Sequence, residues 1–258
     1  MKTKIYINPA FSHLFDFIRQ VPDNFENSGE LLHTGRNEVR KVSISGQDIV
    51  VKYFKRITWA NRLIYATLRK SKAQRAFENS RKLIRSGINT PMPIAFVDIY
   101  KKGLLYQSFY ISDFIELKPL NELLEQPIGK SEEGLKAFAH YSYKLHRLGI
   151  FHNDYNLTNV LYTQTNGEYD FALIDNNRME FRAYTKRRGL KNLRRLNLPV
   201  DKLGIIGSEY ANDSQSNSFR TLMTMVFFQI QFKERKYIKN LFKNFWGNNH
   251  QLKKQNVN

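Results

Sequence analysis

The stretch that most restricts what this chain can fold into runs from Gly134 to Asp175. "GLKAFAHYSYKLHRLG" (134–149) sets Leu135, Phe138, Ser142, Leu145 and Leu148 on one face, which reads as a buried helix stopped by Gly149. The polar "FHNDYNLTNVLY" (151–162) follows. Two strand-like runs, "NVLYTQ" and "YDFALID", are then separated by "TNGE". An Asn-Gly pair between such runs is a strong hairpin signal, because both residues tolerate the positive φ of a tight turn.

Upstream, "QDIVVKYFKRI" (47–57) is β-branched and bounded by Gly46, so it reads as a strand after a turn. Residues 71–87 read as a helix that Ser71 caps and Gly87 ends, with Pro91 and Pro93 beyond it. Residues 104–117 form a strand pair or one long strand. Strands with a single helix come first, and a mostly helical half interrupted by one hairpin comes second. That order predicts an α+β fold of two lobes with the crossover near Glu116–Leu120. The expected divisions are a lobe over 1–116, a lobe over 117–232 and a basic amphipathic tail over 233–258.

A chain of 258 residues, 41% hydrophobic and 14% aromatic, can bury a proper core. It has no cysteine, which excludes a disulfide scaffold, a thiolate zinc site and a thiol nucleophile. There is no signal-peptide pattern and no 18-residue apolar stretch, so the expectation is a soluble cytoplasmic protein. The net charge of +18, from 41 Lys and Arg against 23 Asp and Glu, speaks to partners: nucleic acid, anionic lipid or phosphorylated substrates.

Asp154, Asn159 and Asp175 are the residues most suggestive of chemistry. The first two straddle the loop after the buried helix, and the hairpin returns Asp175 to the neighbourhood of Asn159. Asn159 and Asp175 are hard oxygen ligands suited to Mg²⁺, while Asp154 can accept a proton from a hydroxyl. Phosphoryl transfer needs mainly positioning and charge neutralisation, so this set suffices if cations hold the phosphates. Lys52, mid-strand in "IVVKYF", supplies one, and Glu78 on the following helix is its expected partner.

With these residues in order, "FHNDYNLTNVLY" and "FALIDNNR" resemble the protein-kinase-like superfamily. Within it the chain is similar to the bacterial lipopolysaccharide kinases that phosphorylate Kdo or heptose of the inner core. The likeness extends over roughly 30–210, through "RKSKAQRAFEN", "LIRSGINTPMPIAFV" and "RRGLKNLRRLN". The resemblance implies a two-lobed protein-kinase-like fold that uses ATP and Mg²⁺. Lys52 would anchor phosphate, Glu78 would pair with it, Asp154 would be the base, and Asn159 and Asp175 the metal ligands. His152 would brace the loop.

There are departures from the pattern. Only Gly35 and Gly46 stand where a glycine-rich loop would cover the phosphates, with Arg36, Asn37 or Arg40 available to help. Asn153 replaces an Arg, "DNNR" stands for D-F-G, and no A-P-E follows. A small or lipid-linked acceptor therefore fits better than a protein substrate.

The run "FRAYTKRRGLKNLRRLN" (181–197) follows Asp175, where an acceptor would bind, so Arg182, Lys186, Arg187 and Arg188 are candidate substrate residues for carboxylate or phosphate groups. The segment 55–75 interleaves Lys and Arg with Trp59, Leu63, Ile64 and Leu68 at helical spacing, either packed on the small lobe or facing anionic lipid. In the tail, Tyr237, Ile238, Leu241, Phe242, Phe245 and Trp246 form an apolar stripe with Lys236, Lys239 and Lys243 off it. Packing of that stripe on its own domain is favoured over a membrane interface.

The expected partner is a lipid-linked sugar acceptor of lipopolysaccharide. Peripheral association with the anionic inner membrane is an open possibility, and no specific nucleic acid is expected. The rival readings are a small-molecule phosphotransferase of the aminoglycoside or choline kinase kind, and a non-catalytic basic protein that binds membrane or nucleic acid. The basic run 182–195 argues against the cationic acceptors of the first. The second leaves the ordered Lys, Glu, Asp, Asn and Asp set unexplained.

Overall fold

The computed structural model describes residues 1–55 and 69–255, with side chains through Leu241. The helical spacing at 59–68 and the side chains of Phe242, Phe245 and Trp246 lie outside the described residues. In chain order the first elements are β1 (Lys2–Ile7), α1 (Phe15–Asn24), β2 (Glu30–His33), β3 (Glu38–Ile44), β4 (Gln47–Tyr53) and α2 (Lys72–Arg85). Next come β5 (Pro93–Lys101), β6 (Leu104–Asp113), β7 (Lys118–Pro119), α3 (Leu120–Glu125), α4 (Ile128–Arg147) and β8 (Ile150–His152). The chain closes with β9 (Val160–Thr165), β10 (Glu168–Leu173), β11 (Met179–Phe181), α5 (Lys186–Leu193), α6 (Val200–Asp213) and α7 (Ser218–Gln255). The fold is α+β. It forms two compact units, Met1–Leu120 with Thr158–Glu180, and Asn121–Leu157 with Phe181–Asn258.

The first unit is built on a six-stranded antiparallel sheet of order β1-β5-β6-β4-β3-β2. Side chains of β4 alternate: Ile49 and Val51 are buried among Leu14, Ile18, Val21 and Phe25 of the α1 segment. The opposite face packs Phe54 and Phe96 against Ala73 and Phe77 of α2. With both faces covered, β5 is buried from Pro93 to Ile99 and shows no alternation.

Helix α2 starts where Ser71 accepts from the Gln74 N–H at 2.9 Å, a cap that contributes about 1 kcal/mol, and Gly87 at φ +69° follows its end. Residues 104–113 form a single strand, β6, hairpinned to β5 through Lys102 and Gly103. At the second hairpin Asn166 and Gly167 both take positive φ, as the Asn-Gly signal requires.

That hairpin clusters with the first unit rather than with the region 117–232, where the sequence places it. Strand β9 pairs with β7, and Leu173 N–H donates to the Asn89 carbonyl at 2.9 Å, so its backbone bonds lie on that side.

In the second unit α4 buries Leu135, Phe138, Ser142 and Leu145 as expected, but Leu148 is 49% exposed because the helix ends at its cap. His146 takes the buried position instead. It shares hydrogen bonds with the Tyr210 hydroxyl at 2.9 Å and the Asn192 Oδ1 at 3.2 Å. Gly189 of α5 packs directly against Tyr210 and His146, leaving no room for a Cβ.

Burial pushes the His146 imidazole down to about 4, with the Asn192 bond opposing. The folded protein thus holds His146 neutral while the unfolded chain takes up a proton near 6.5. The associated stability is complete above about 6.5 and is lost as pH falls to about 4, an effect on the order of 3 kcal/mol. Urea unfolding of wild type and His146→Leu at pH 7 and pH 4.5 checks it: the wild type should lose more stability on acidification than the variant.

Helix α7 corrects the expected packing of the tail. Its buried side is made by Thr221, Met225, Phe228 and Gln229, and every residue from Lys233 to Leu241 is exposed. Tyr237, Ile238 and Leu241 do not pack on their own unit, because the helix runs beyond the elements that cover Met225 to Gln229.

Candidate active site

A cavity of about 440 Å³ opens in the first unit. Leu32 and His33 at the end of β2 and Asn37 of the β2–β3 turn line one side; Val50, Lys52, Ser112 and Asp113 line another; Asn159, Leu161, Ile174 and Asp175 line a third. Lys52 points here because it lies out of phase with Ile49 and Val51, so strand alternation turns it from the core face to the cavity. Its ammonium donates to Asp175 Oδ1 at 2.7 Å.

Asp175 adopts left-handed backbone, φ 58° and ψ 44°, a conformation that costs a non-glycine residue about 1–2 kcal/mol. The Asn177 side-chain amide also donates to Asp175 Oδ1. Ile174 N–H donates to the Asn159 carbonyl at 3.0 Å, which fixes the loop residue beside the hairpin exit. The cavity therefore gathers the Lys52 ammonium, the carboxylates of Asp113 and Asp175 and the side-chain amides of Asn37, Asn159 and Asn176, with an apolar wall that includes Val39, Val50, Leu161 and Ile174. This suits a ligand with a flat apolar part and an anionic part.

Glu78 is not the partner of Lys52. Its carboxylate accepts from Lys70 at 2.8 and 2.7 Å and from Gln74 at 2.9 Å. Partial burial opposes the charged form of Glu78, but these bonds prevail and hold its pKa below the usual carboxylate value. The neighbouring positions of α2 instead hold the segment after Asp175: Asn79 donates to the Asn176 carbonyl at 2.7 Å, and Ser80 accepts from the Asn176 amide at 2.9 Å.

Lys72, at the start of α2, also approaches the site. Its ammonium lies 5.7 Å from the Phe54 ring centroid, with that of Lys52 5.5 Å away from the same ring. Burial pushes the Lys72 amine down; Arg178 and Arg75 push the same way, and Asp175 opposes. Gly35 stands in the β2–β3 turn, whose flanking His33 and Asn37 line the cavity while Gly35 does not. Arg40 is engaged by Glu38 at 2.8 Å and by the Ser28 carbonyl, so it does not join Asn37 there.

Asp154 belongs to the second unit, and its loop is held from several sides. Tyr155 is fully buried, stacked on Phe138 at 5.9 Å and hydrogen-bonded to Ser142 at 2.9 Å. His152 is buried and its Nδ1 accepts the Asp154 N–H at 3.0 Å, so it does brace the loop. The Asn192 amide donates to the His152 carbonyl at 2.9 Å.

The residue missed from the sequence is Arg195: its Nη1 donates to Asp154 Oδ1 at 2.7 Å, and its guanidinium lies 5.1 Å from the Phe232 ring. The quoted run 181–197 contained it, but nothing local distinguishes it from its basic neighbours. Those neighbours differ in their contacts. Arg187 lies over Phe228 at 5.7 Å and Arg188 over Phe151 at 5.8 Å, with Arg188 also donating to the Ala183 carbonyl. Arg182 is exposed, and Lys186 is half-buried at the first turn of α5.

Among the described residues no three His, Cys, Asp or Glu side chains gather as a metal cage. The Asp175 carboxylate with the Asn159 amide oxygen fits Mg²⁺ that takes its remaining ligands from water and substrate phosphates, the usual habit of that ion.

The model of the lipopolysaccharide kinase (Kdo/WaaP) family matches residues 26–212. No curated protein sequence matches the chain. Among solved structures, WaaP in complex with acyl carrier protein aligns with a TM-score of 0.62 at 16% identity, over 92% of this chain and 98% of that one. The Rio2 kinase complex with ADP, Mg²⁺ and phosphoaspartate from Chaetomium thermophilum aligns at 0.45 and 16% identity, over 66% and 54%.

Proposed function

The chain belongs to the lipopolysaccharide kinase (Kdo/WaaP) family, a group of phosphotransferases, and on that premise we propose that it moves the γ-phosphate of ATP to a sugar hydroxyl of the lipopolysaccharide inner core at the cytoplasmic membrane face. The observation that carries the reading is the Lys52–Asp175 ion pair at 2.7 Å on the wall of a cavity that Asn159 also lines. In this reading the apolar wall receives the base, Lys52 holds the phosphates, and Asn159 and Asp175 hold Mg²⁺. That ion, when bound, neutralises charge on the phosphate oxygens.

Asp154 accepts the proton of the sugar hydroxyl as its oxygen bonds to the γ-phosphorus. The bond from that phosphorus to the bridging oxygen breaks, and ADP leaves. Arg195 fixes the orientation of the Asp154 carboxylate. Arg182 and Lys186 of the basic run are the acceptor-binding residues, suited to the carboxylate of Kdo or to phosphate.

Release of ADP from MgATP by the purified chain, with and without lipid A carrying Kdo, tests this function. Acceptor-dependent release is expected. Turnover only with a heptosylated core would move the acceptor within the family, and absence of nucleotide binding would end the kinase reading of this cavity.

A further inference from the structure

Helix α7 carries an apolar surface that the transfer reaction leaves unused. Phe219, Met223, Phe227, Ile230, Tyr237 and Leu241 are each at least 51% exposed. They recur at intervals of four, four, three, seven and four residues, so they share one side of the helix. The other side, through Thr221, Met225, Phe228 and Gln229, is the one buried in the unit.

Helical periodicity sets Arg220 and Lys233 along the margins of the stripe and leaves Arg235, Lys236 and Lys239 beyond it. Between Ser218 and Leu241 the one acidic side chain is Glu234, which falls on the stripe between Ile230 and Tyr237. Six large apolar side chains in line make a patch longer than soluble surfaces usually leave uncovered.

The charge decides among occupants. A second copy would bring two strongly basic helices together on a chain of net charge +18, so the stripe does not favour self-association. An anionic lipid surface satisfies both features at once, taking the apolar side chains at the boundary of headgroups and acyl chains and the cations at lipid phosphates. None of the described helices is long and apolar enough to cross a membrane, so the helix would lie along the surface.

We propose that the stripe from Phe219 to Leu241 docks this protein flat on an anionic bilayer, with Arg220 and Lys233 at the phosphate level. The inference deepens the kinase reading and rests on its lipid-linked acceptor. Glu234 sets the depth: its charge keeps the middle of the helix at the headgroups and out of the acyl region.

The test is co-sedimentation of the full chain with phosphatidylcholine vesicles, with and without phosphatidylglycerol. The wild type should partition about tenfold or more in favour of the anionic vesicles and be released in part by raised salt. The double variant Phe227→Ser, Ile230→Ser alters exposed positions; with an unchanged circular dichroism spectrum it should bind about tenfold more weakly. Glu234→Gln should bind more tightly than wild type.

Equal binding of wild type and double variant to anionic vesicles overturns the proposal. So does a concentration-dependent dimer that the double variant abolishes, which would assign the stripe to a second copy. MgATP binding measured without lipid separates the two readings. Intact vesicle binding without nucleotide binding sinks the kinase and spares the docking surface; the reverse result does the opposite.

Discussion

Replacing Asp154 with Ala is expected to lower acceptor-dependent ADP release by about 10²–10⁴-fold while leaving MgATP affinity within about threefold. The size follows from the proposed role: a positioned base would remove a proton from the attacking hydroxyl, whereas in the same reading nucleotide binding rests on Lys52, Asn159 and Asp175. The Asp154 carboxylate accepts from Arg195 at 2.7 Å, a charge-assisted bond that helps to orient it.

A companion Arg195→Met variant should therefore lose turnover by a smaller factor than Asp154→Ala, with the loss in kcat rather than in KM for ATP. Arg195→Lys should recover part of it. Phe232 packs under the guanidinium, so a thermal scan accompanies the kinetics to separate orientation from folding. Asp154→Ala with turnover within threefold of wild type would remove this residue from the chemistry.

The second large effect is expected of Asp175→Asn, which should reduce turnover by at least about 10²-fold and raise the Mg²⁺ concentration needed for half-maximal rate. The amide keeps the shape but removes the negative charge that pairs with Lys52 and that, in the proposed reading, would hold a divalent ion. Asn also accepts left-handed backbone nearly as well as Asp, so the melting midpoint should hardly move. Asp175→Val supplies the contrast. A β-branched residue at φ 58° should cost about 1–2 kcal/mol of stability beyond any effect on catalysis. Magnesium titrations of rate, paired with thermal scans of both variants, check the two halves of this expectation. Undiminished activity in Asp175→Asn would reassign the metal.

Much of this architecture is legible in the sequence because its signals are local. The Asn166–Gly167 turn, the Ser71 cap and the helix through Leu135, Phe138, Ser142 and Leu145 each depend on neighbours within a few residues, and each forms. The region from Lys2 to Phe25 is harder to read. Its strand shows little alternation, and its helix contains Pro22, so only the spacing of Leu14, Ile18, Val21 and Phe25 betrays the cover it provides.

Ion-pair choice is harder still. Glu78 and Lys52 are opposite charges in the expected order along the chain, yet Lys70 and Asp175 pair with them instead, because the rotation of α2 about its axis is a tertiary quantity. Arg195 was invisible for the same reason. One arginine among several in a basic run becomes special only when the fold brings it to Asp154. The stripe on α7 shows the reverse problem: periodicity reveals a face but does not reveal what covers it.

The alternation along β4 has a consequence for how this protein can change. Ile49 and Val51 fill the core while Val50 and Lys52 form the cavity wall, so a slip of one residue would send the ammonium inward and an isoleucine outward. A single-residue insertion or deletion between Gly46 and Lys52 would therefore disturb the core and the cavity wall together. Substitutions at Lys52 are different: they leave the register untouched and, in the proposed reading, would give a folded protein without turnover. Decay of the activity should thus proceed by point replacement in this strand, and length variation should be confined to the turns at its ends.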